Sequence, residues 1–288
     1  IEWARVLEQS GVHVTYGVVG LKTHAKMALV VRREGSLIGL YSHIGTGNYN
    51  ADTARIYEDI GVITCDPDIG ADCAQLFNHL TGYSRAHDYK TLLVAPRDLR
   101  RQLIDLIEHE ASFGTEGEIV MKCNSIADEE VAEALYAASN AGVRIELLVR
   151  GICCLRAGVP GMSENIRVRS ILGRYLEHSR IYRFKNGNVV VNGRLPGAVT
   201  NEIHLIGSAD LMPRNLNRRV EVLVPIEHER HRAWLDQAIE FQLADGIVCW
   251  ELQPDNRWER MGPTDTFEPH AQERMYRWTV EQQTPVAH

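Results

Sequence analysis

The chain has 288 residues, is 44% hydrophobic and 24% charged, and carries a formal net charge of −7 at pH 7. That length and apolar fraction allow a sizeable core and fit two medium domains. The acidic balance excludes a protein that holds polyanions by overall positive potential, so such a partner would have to be met by a local cluster of Lys, Arg and His in a cleft.

The chain begins at Ile1 and runs straight into Glu2-Trp3-Ala4-Arg5-Val6-Leu7-Glu8, which predicts an amphipathic helix over 1–10 ending at Gly11 and a sequence cut from a longer parent. Val12-His13-Val14-Thr15-Tyr16 predicts a strand, the second half of a βαβ unit whose first strand lies upstream. Strands over 26–32 and 37–42 flank the turn Arg33-Glu34-Gly35-Ser36 and lead into the loop Gly45-Thr46-Gly47-Asn48. A short helix near 51–57, a strand near 60–65 and a helix near 69–82 follow, with Asp66-Pro67-Asp68 as the break and N-cap of the last.

The polar stretch Ser84-Arg85-Ala86-His87-Asp88 divides a first domain, 1–88, from a second, 89–288. The second alternates strand 90–94, helix 97–113, strand 118–123, helix 128–141 and strand 143–149, a pattern that implies a sheet with helices on its faces. Strands near 166–171, 180–184, 188–191, 202–207 and 218–224 come next. A helix near 228–243, a Trp-rich hairpin over 247–260, a helix near 269–282 and a disordered tail, 283–288, complete the chain. The run Glu227-His228-Glu229-Arg230-His231-Arg232 reads as a solvated helix face, and Trp250, Trp258 and Trp278 as packing. No apolar run approaches the ~18 residues of a membrane-crossing helix, so no transmembrane segment is expected. The cysteines Cys65, Cys73, Cys123, Cys153, Cys154 and Cys249 form no CxxC pair or disulfide-scaffold spacing, which points to a reducing cytoplasm and six small buried hydrophobes.

The two halves read as diverged copies. Gly11-Val12-His13-Val14, Lys22-Thr23-His24-Ala25-Lys26 and His43-Ile44-Gly45-Thr46-Gly47-Asn48 recur as Gly142-Val143-Arg144-Ile145, Leu176-Glu177-His178-Ser179-Arg180 and His204-Leu205-Ile206-Gly207-Ser208-Ala209-Asp210. In each copy a His precedes a strand and a cation follows two positions later, on the same face by alternation. A single such pair is more often a hydrogen-bonded surface or core pair than a catalytic one; the recurrence beside matched turns is what favours chemistry. Brought together by pseudo-twofold packing, His24 and His178 would supply a nucleophile and a proton carrier, while Lys26 and Arg180 neutralise the charge of a transferring phosphoryl group. Arg150, at the end of the apolar strand Glu146-Leu147-Leu148-Val149, reads as a phosphate clamp. The loop through Asn48 can offer backbone N–H groups and an amide to phosphate oxygens.

The blocks Gly20-Leu21-Lys22-Thr23-His24-Ala25-Lys26, His43-Ile44-Gly45-Thr46-Gly47-Asn48-Tyr49-Asn50, Thr53-Ala54-Arg55-Ile56-Tyr57-Glu58-Asp59, Leu148-Val149-Arg150-Gly151-Ile152-Cys153 and Tyr175-Leu176-Glu177-His178-Ser179-Arg180-Ile181-Tyr182 resemble the signature blocks of the polyphosphate kinase 1 family. The resemblance runs from end to end of the chain. It implies two phospholipase D-like α/β domains with mixed sheets flanked by helices, the first truncated at its N-terminus, and an active site between them. It implies a phosphohistidine on His24, a second essential histidine at His178, nucleotide contacts from Tyr57, Arg150 and His178, and His43 close to the phosphates. Magnesium would accompany the nucleotide with no metal ligand in this chain, because two arginines linked to the metal and phosphates, like the N-terminal and helical domains, belong upstream. The implied partners are ATP or ADP and inorganic polyphosphate, not nucleic acid, in a homo-oligomeric cytoplasmic parent compatible with peripheral attachment to the inner membrane. The phospholipase D pattern asks for Asp five residues after each cation, where this chain has Val31 and Lys185, which favours the kinase. Reversible transfer of the ATP γ-phosphate to polyphosphate is therefore the leading expectation, with a phospholipase D-type phosphodiesterase or phosphatidyltransferase and a non-catalytic polyanion-binding fragment as alternatives.

Overall fold

The computed structural model describes residues 2–83, 88–186, 202–244, 246–262 and 270–283. Helix α1 (Glu2–Gln9) leads through an irregular segment to the two-residue strand β1 (Lys22–Thr23) and then to β2 (Lys26–Glu34) and β3 (Leu37–Gly45). The last two form a hairpin closed by Gly35-Ser36, with Gly35 at φ +63°. A 3-10 turn over Thr53–Arg55, then β4 (Tyr57–Glu58), β5 (Gly61–Thr64) and α2 (Pro67–Leu80) follow. Asp66 caps α2 as expected, its carboxylate accepting from the N–H groups of Asp68 and Ile69.

The rest of the chain runs β6 (Leu93–Ala95), α3 (Leu99–Ala111), β7 (Glu118–Cys123), α4 (Glu129–Asn140), β8 (Arg144–Val149), β9 (Ile166–Ile171), β10 (Leu176–Glu177) and β11 (Ile181–Phe184). After residues 187–201 come β12 (Ile203–Gly207), α5 (Pro213–Arg218), β13 (Arg219–Pro225), α6 (Glu229–Leu243), β14 (Cys249–Leu252), β15 (Trp258–Met261) and α7 (Ala271–Gln283). The main sheet is mixed, in the order β1-β13-β12-β11-β7-β8-β9-β14-β15, with β6 also paired with β13. Strands β2, β3 and β5 make a second sheet, and β4 pairs with β10.

Strand alternation divides the apolar residues between two cores. On one face of the main sheet Ile119, Met121, Tyr182 and Phe184 pack with Leu103 and Leu106 of α3 and Leu135 of α4. On the other, Val120, Ile181, Val220 and Val222 meet Leu235 and Ile239 of α6 and also Ile44, Ile69 and Leu76, which come from β3 and α2. The second core is thus shared by both halves.

Most long elements lie where the sequence places them, and β7 and β9 match to the residue. Val12–Tyr16 forms no strand: it is largely exposed, and no described strand pairs with it to complete a ladder. The helix expected over 51–57 is only a 3-10 turn. The Asn50 side chain accepts from the N–H groups of Asp52 and Thr53, and Tyr57 and Glu58 are taken into pairing with β10. Helix α5 was not foreseen. Of the six cysteines, Cys73, Cys123 and Cys249 are buried, whereas Cys65 and Cys154 are exposed and Cys153 is half-buried, since the last two occupy the surface loop after β8. Arg232 is buried, its guanidinium donating to the Glu227 carbonyl, while residues 228–231 form the solvated helix face expected. The strand over 188–191 and the tail 284–288 lie outside the described residues. No helix among the described residues is long and apolar enough to cross a membrane.

Where β4 and β10 meet, the buried Lys122 of β7 lies 2.8 Å from Glu58 and 2.5 Å from Glu177, and donates to Ser179 Oγ at 2.7 Å. Burial opposes charge on both Lys122 and Glu58. The neighbouring carboxylates nonetheless hold the Lys122 ammonium above its ordinary pKa, and Lys122 with the Ser179 hydroxyl holds Glu58 below its own. Removing the cation strands two carboxylates, so Lys122→Ala should destabilise this region by about 3–5 kcal/mol. Hydrogen exchange at the β7 and β11 amides should accelerate accordingly; exchange unchanged from wild type would mean that the network contributes nothing.

Candidate active site

Both sequence-predicted histidines stand one residue beyond a two-residue strand that crosses into the other half. In the parallel pair of β1 with β13, Thr23 faces Val220; one residue later His24 meets Glu221, Nδ1 to Oε2 2.8 Å. In the parallel pair of β10 with β4, Glu177 faces Glu58; one residue later His178 meets Asp59, Nδ1 to Oδ1 2.7 Å. Each imidazole is therefore oriented by a carboxylate from the opposite half.

The turns carry the same symmetry. Thr46 Oγ1 donates to Asp59 at 2.6 Å and accepts from Ile60 N at 3.0 Å, and Ser208 Oγ donates to Glu221 at 2.5 Å and accepts from Val222 N at 3.1 Å. Gly47 is needed because a Cβ there would fall 2.2 Å from an Asp59 carboxylate oxygen. Glu221, fully buried, also accepts from Asn215 Nδ2 at 2.9 Å. A carboxylate accepts only, so the neutral imidazoles carry their proton on Nδ1 and present the Nε2 lone pair.

Lys26 and Arg180 fill the spaces around these pairs. Lys26 Nζ donates to the His24 carbonyl at 2.5 Å. Burial, aided by the charges of Arg180 and Arg219, lowers its pKa from 10.5 to about 8 against the opposing pull of Glu221 and Asp59. Lys26 thus lies within electrostatic reach of both carboxylates and of Arg180. Arg180 is clamped by Asp210, Nε to Oδ1 3.2 Å and Nη2 to Oδ2 3.1 Å, and Nη1 donates to the carbonyls of His178 and Thr46 at 2.8 and 3.2 Å. Burial works against the guanidinium charge, but Asp210 overcomes it and keeps the group firmly cationic.

The Tyr57 ring lies 4.8 Å, centroid to centroid, from that of His178. Arg150 is steered by Asn124, Nε to Oδ1 3.0 Å, and Asn124 N donates to Asp210 at 2.8 Å, so Arg150 is tied to Arg180 through one carboxylate. His43 shares a face of β3 with Gly45, its Nδ1 2.6 Å from the Tyr49 hydroxyl and its ring over Gly61, where a Cβ would meet it. Asn48 is exposed at the place that Asp210 takes in the other copy. Asp59 and Glu221 were not singled out from the sequence. A signal existed: each carboxylate follows its turn hydroxyl by 13 residues.

The carboxylates Glu58, Asp59, Asp210 and Glu221 all accept bonds from Lys, His, Arg or hydroxyl groups, so they do not make an open set of oxygen ligands for magnesium. The donors suit phosphate oxygens instead. Among the described residues, Glu202, His204 and Asp236 lie within ligand distance of one another, but Arg183 occupies that cluster, 3.4 Å from Glu202 and 3.2 Å from Asp236.

Two imidazoles held by carboxylates among fixed cations are the kinds of group that phosphoryl transfer calls on. Residues 1–86 match the family model for polyphosphate kinase C-terminal domain 1, and residues 92–272 that for polyphosphate kinase C-terminal domain 2. The chain belongs to the polyphosphate kinase family. It is 56% identical over 261 residues to a polyphosphate kinase of Mycobacterium avium and 54% identical over 265 residues to one of Mycobacterium tuberculosis, each alignment covering 90% of this chain and 34% of the relative. The chain thus spans about a third of the length of these curated relatives. The crystal structure of a polyphosphate kinase from Porphyromonas gingivalis superposes with a TM-score of 0.86 at 34% identity, covering 98% of this chain and 42% of that one.

The crossed pairs predict the ring state. Long-range ¹H–¹⁵N spectra of the neutral forms of His24 and His178 should show Nδ1–H and an unprotonated Nε2; an Nε2–H tautomer at either position would remove the geometric basis for a nucleophile or base there.

Proposed function

We propose that this chain supplies the histidine half-site of an ATP:polyphosphate phosphotransferase. His24 Nε2 attacks the γ-phosphorus, an N–P bond forms as the bond to the ADP oxygen breaks, and ADP leaves. A terminal oxygen of polyphosphate then attacks that phosphorus and releases the imidazole. His178, through Nε2, carries the proton to and from the oxygens that leave or attack, while Lys26, Arg180 and Arg150 neutralise the equatorial oxygens. Tyr57 and His43 border the nucleotide, and Asn48 lends an amide to its phosphates. Magnesium would be held by the nucleotide rather than by these residues. The observation that supports this reading best is the crossed orientation of two imidazoles, each held at Nδ1 by a carboxylate of the other half, with Arg180 Nη1 3.3 Å from His178 Nε2. Residues 1–88 and 89–288 would act as paired catalytic domains of a cytoplasmic, homo-oligomeric parent.

The test is labelling of the full-length parent with γ-³²P ATP and magnesium. Acid-labile, alkali-stable label on the protein is expected, and its loss in His24→Ala; label that persists in that variant excludes His24 as the nucleophile.

Lys26 gives a second test. With its folded pKa near 8 and an ordinary value of 10.5, the unfolded chain binds more protons between those limits, so the neutral amine is favoured in the folded state and stability rises with pH across that window. A bound phosphate reverses this preference. Polyphosphate binding at pH about 9, measured by calorimetry in buffers of different ionisation enthalpy, should take up close to one proton, and the uptake should vanish in Lys26→Met. Equal uptake in both proteins would place Lys26 away from the anion.

A further inference from the structure

Strand β10, which leads into His178, is two residues long, and β4 is its strand partner. On the preceding residue the Gln272 side chain of α7 reproduces a ladder: its Oε1 accepts from Tyr175 N at 2.9 Å and its Nε2 donates to Tyr175 O at 2.8 Å. The same Nε2 donates at 2.8 Å to Glu177 Oε1, whose other oxygen lies 2.5 Å from Lys122. The amide lies close against the chain where Gly173 has no side chain, since a Cβ there would come 2.4–2.6 Å from the three outer atoms of Gln272. Ala271, next to it, is buried, and Trp278, nearly two turns further along the helix, meets Phe241 of α6 edge-on, so α7, which presents the amide, is fixed to the body.

We propose that Gln272 is a positioning residue for His178. Two hydrogen bonds to one backbone unit fix the height and tilt of residue 175, and the third fixes Glu177, the residue before the histidine. From there His178 N reaches the Glu58 carbonyl at 3.2 Å and its ring reaches Asp59. A strand of two residues contributes few bonds of its own, so without the amide the histidine is free to swing from the geometry that proton transfer needs. The anchor is side-chain-specific. Glu at 272 keeps an acceptor for Tyr175 N but sets a second carboxylate against Glu177, and Leu keeps the volume and loses every bond.

The inference rests on the assignment of His178 as proton carrier, and the test separates the two. In the full-length parent, Gln272→Leu should lower kcat for polyphosphate synthesis about 10–100-fold with KM for ATP changed by less than about twofold, the cost of a misplaced reacting group. The Nδ1 resonance of His178 should shift while that of His24 stays in place. Gly173→Ala, which pushes the amide away without altering it, should give the same pattern with an unchanged melting temperature. Wild-type kcat and an unmoved His178 resonance in both variants would overturn the latch. Equal perturbation of the two histidines, or loss of fold in both variants, would also overturn it in favour of a general packing role. If His178→Ala itself retains wild-type turnover, it is the proton-carrier assignment that fails, whatever position 272 does.

Discussion

The register of two very short parallel strand pairs is the constraint on which the site depends. Thr23 opposite Val220 and Glu177 opposite Glu58 are ordinary ladder contacts, but each sets the next residue pair side by side, and those are His24 with Glu221 and His178 with Asp59. A slip of one residue would carry every side chain of the pair to the other face and leave both imidazoles without a carboxylate. Each two-residue strand is too short to hold register alone. The shared core beneath does so, with Ile44, Ile69 and Leu76 packed against Val220, Val222 and Ile181, together with the buried ion network around Lys122.

An acidic chain has to keep cations charged at this point without flooding its surface with them. Arg180 is kept charged by the two-pronged contact with Asp210, and Lys122 by two carboxylates, so these positive groups are locked and structural as much as electrostatic. Lys26 differs. It donates to a carbonyl, and burial first, with neighbouring guanidinium charges second, pushes its pKa downward. A polyanion arriving there would supply the opposite charge that lets the buried amine hold its proton, which is a way of binding phosphate without a net positive protein.

The long elements were legible because periodicity needs several residues to declare itself: β7, β9, α2 and α6 all carry enough apolar repeats. The three strands that organise the site, β1, β4 and β10, have two residues each and no readable period, and Tyr57-Glu58 had the appearance of a helix end until β10 claimed it. The repeated His-x-cation blocks exposed His24, Lys26, His178 and Arg180, because a repeat is a signal within one sequence. Their carboxylates escaped notice because each belongs to the other copy, so no local spacing links His24 to Glu221, 197 residues away, or His178 to Asp59, 119 residues away. What remained local was the hydroxyl-to-carboxylate interval of 13 residues, Thr46 to Asp59 and Ser208 to Glu221, present in both copies.

That exchange also explains why the glycines of the turns matter where they do. Each carboxylate must approach its turn closely enough to accept a hydrogen bond from the hydroxyl, and the strand carrying it must lie against the turn backbone. A Cβ on Gly47 would strike Asp59, and one on Gly207 would come 1.9 Å from the Val222 carbonyl, the residue after Glu221. In both halves the absent side chain belongs to one stretch of chain and what it makes room for, the Asp59 carboxylate or the backbone just after Glu221, belongs to a later one, while the histidine that uses the carboxylate comes from the other half. Neither half contains an oriented imidazole by itself. The buried Glu221 would be left without His24 if they separated, at the cost attached to an uncompensated buried charge. Site assembly and docking of the halves are therefore the same event, and the energy that holds the two halves together is also what fixes the two imidazoles in place.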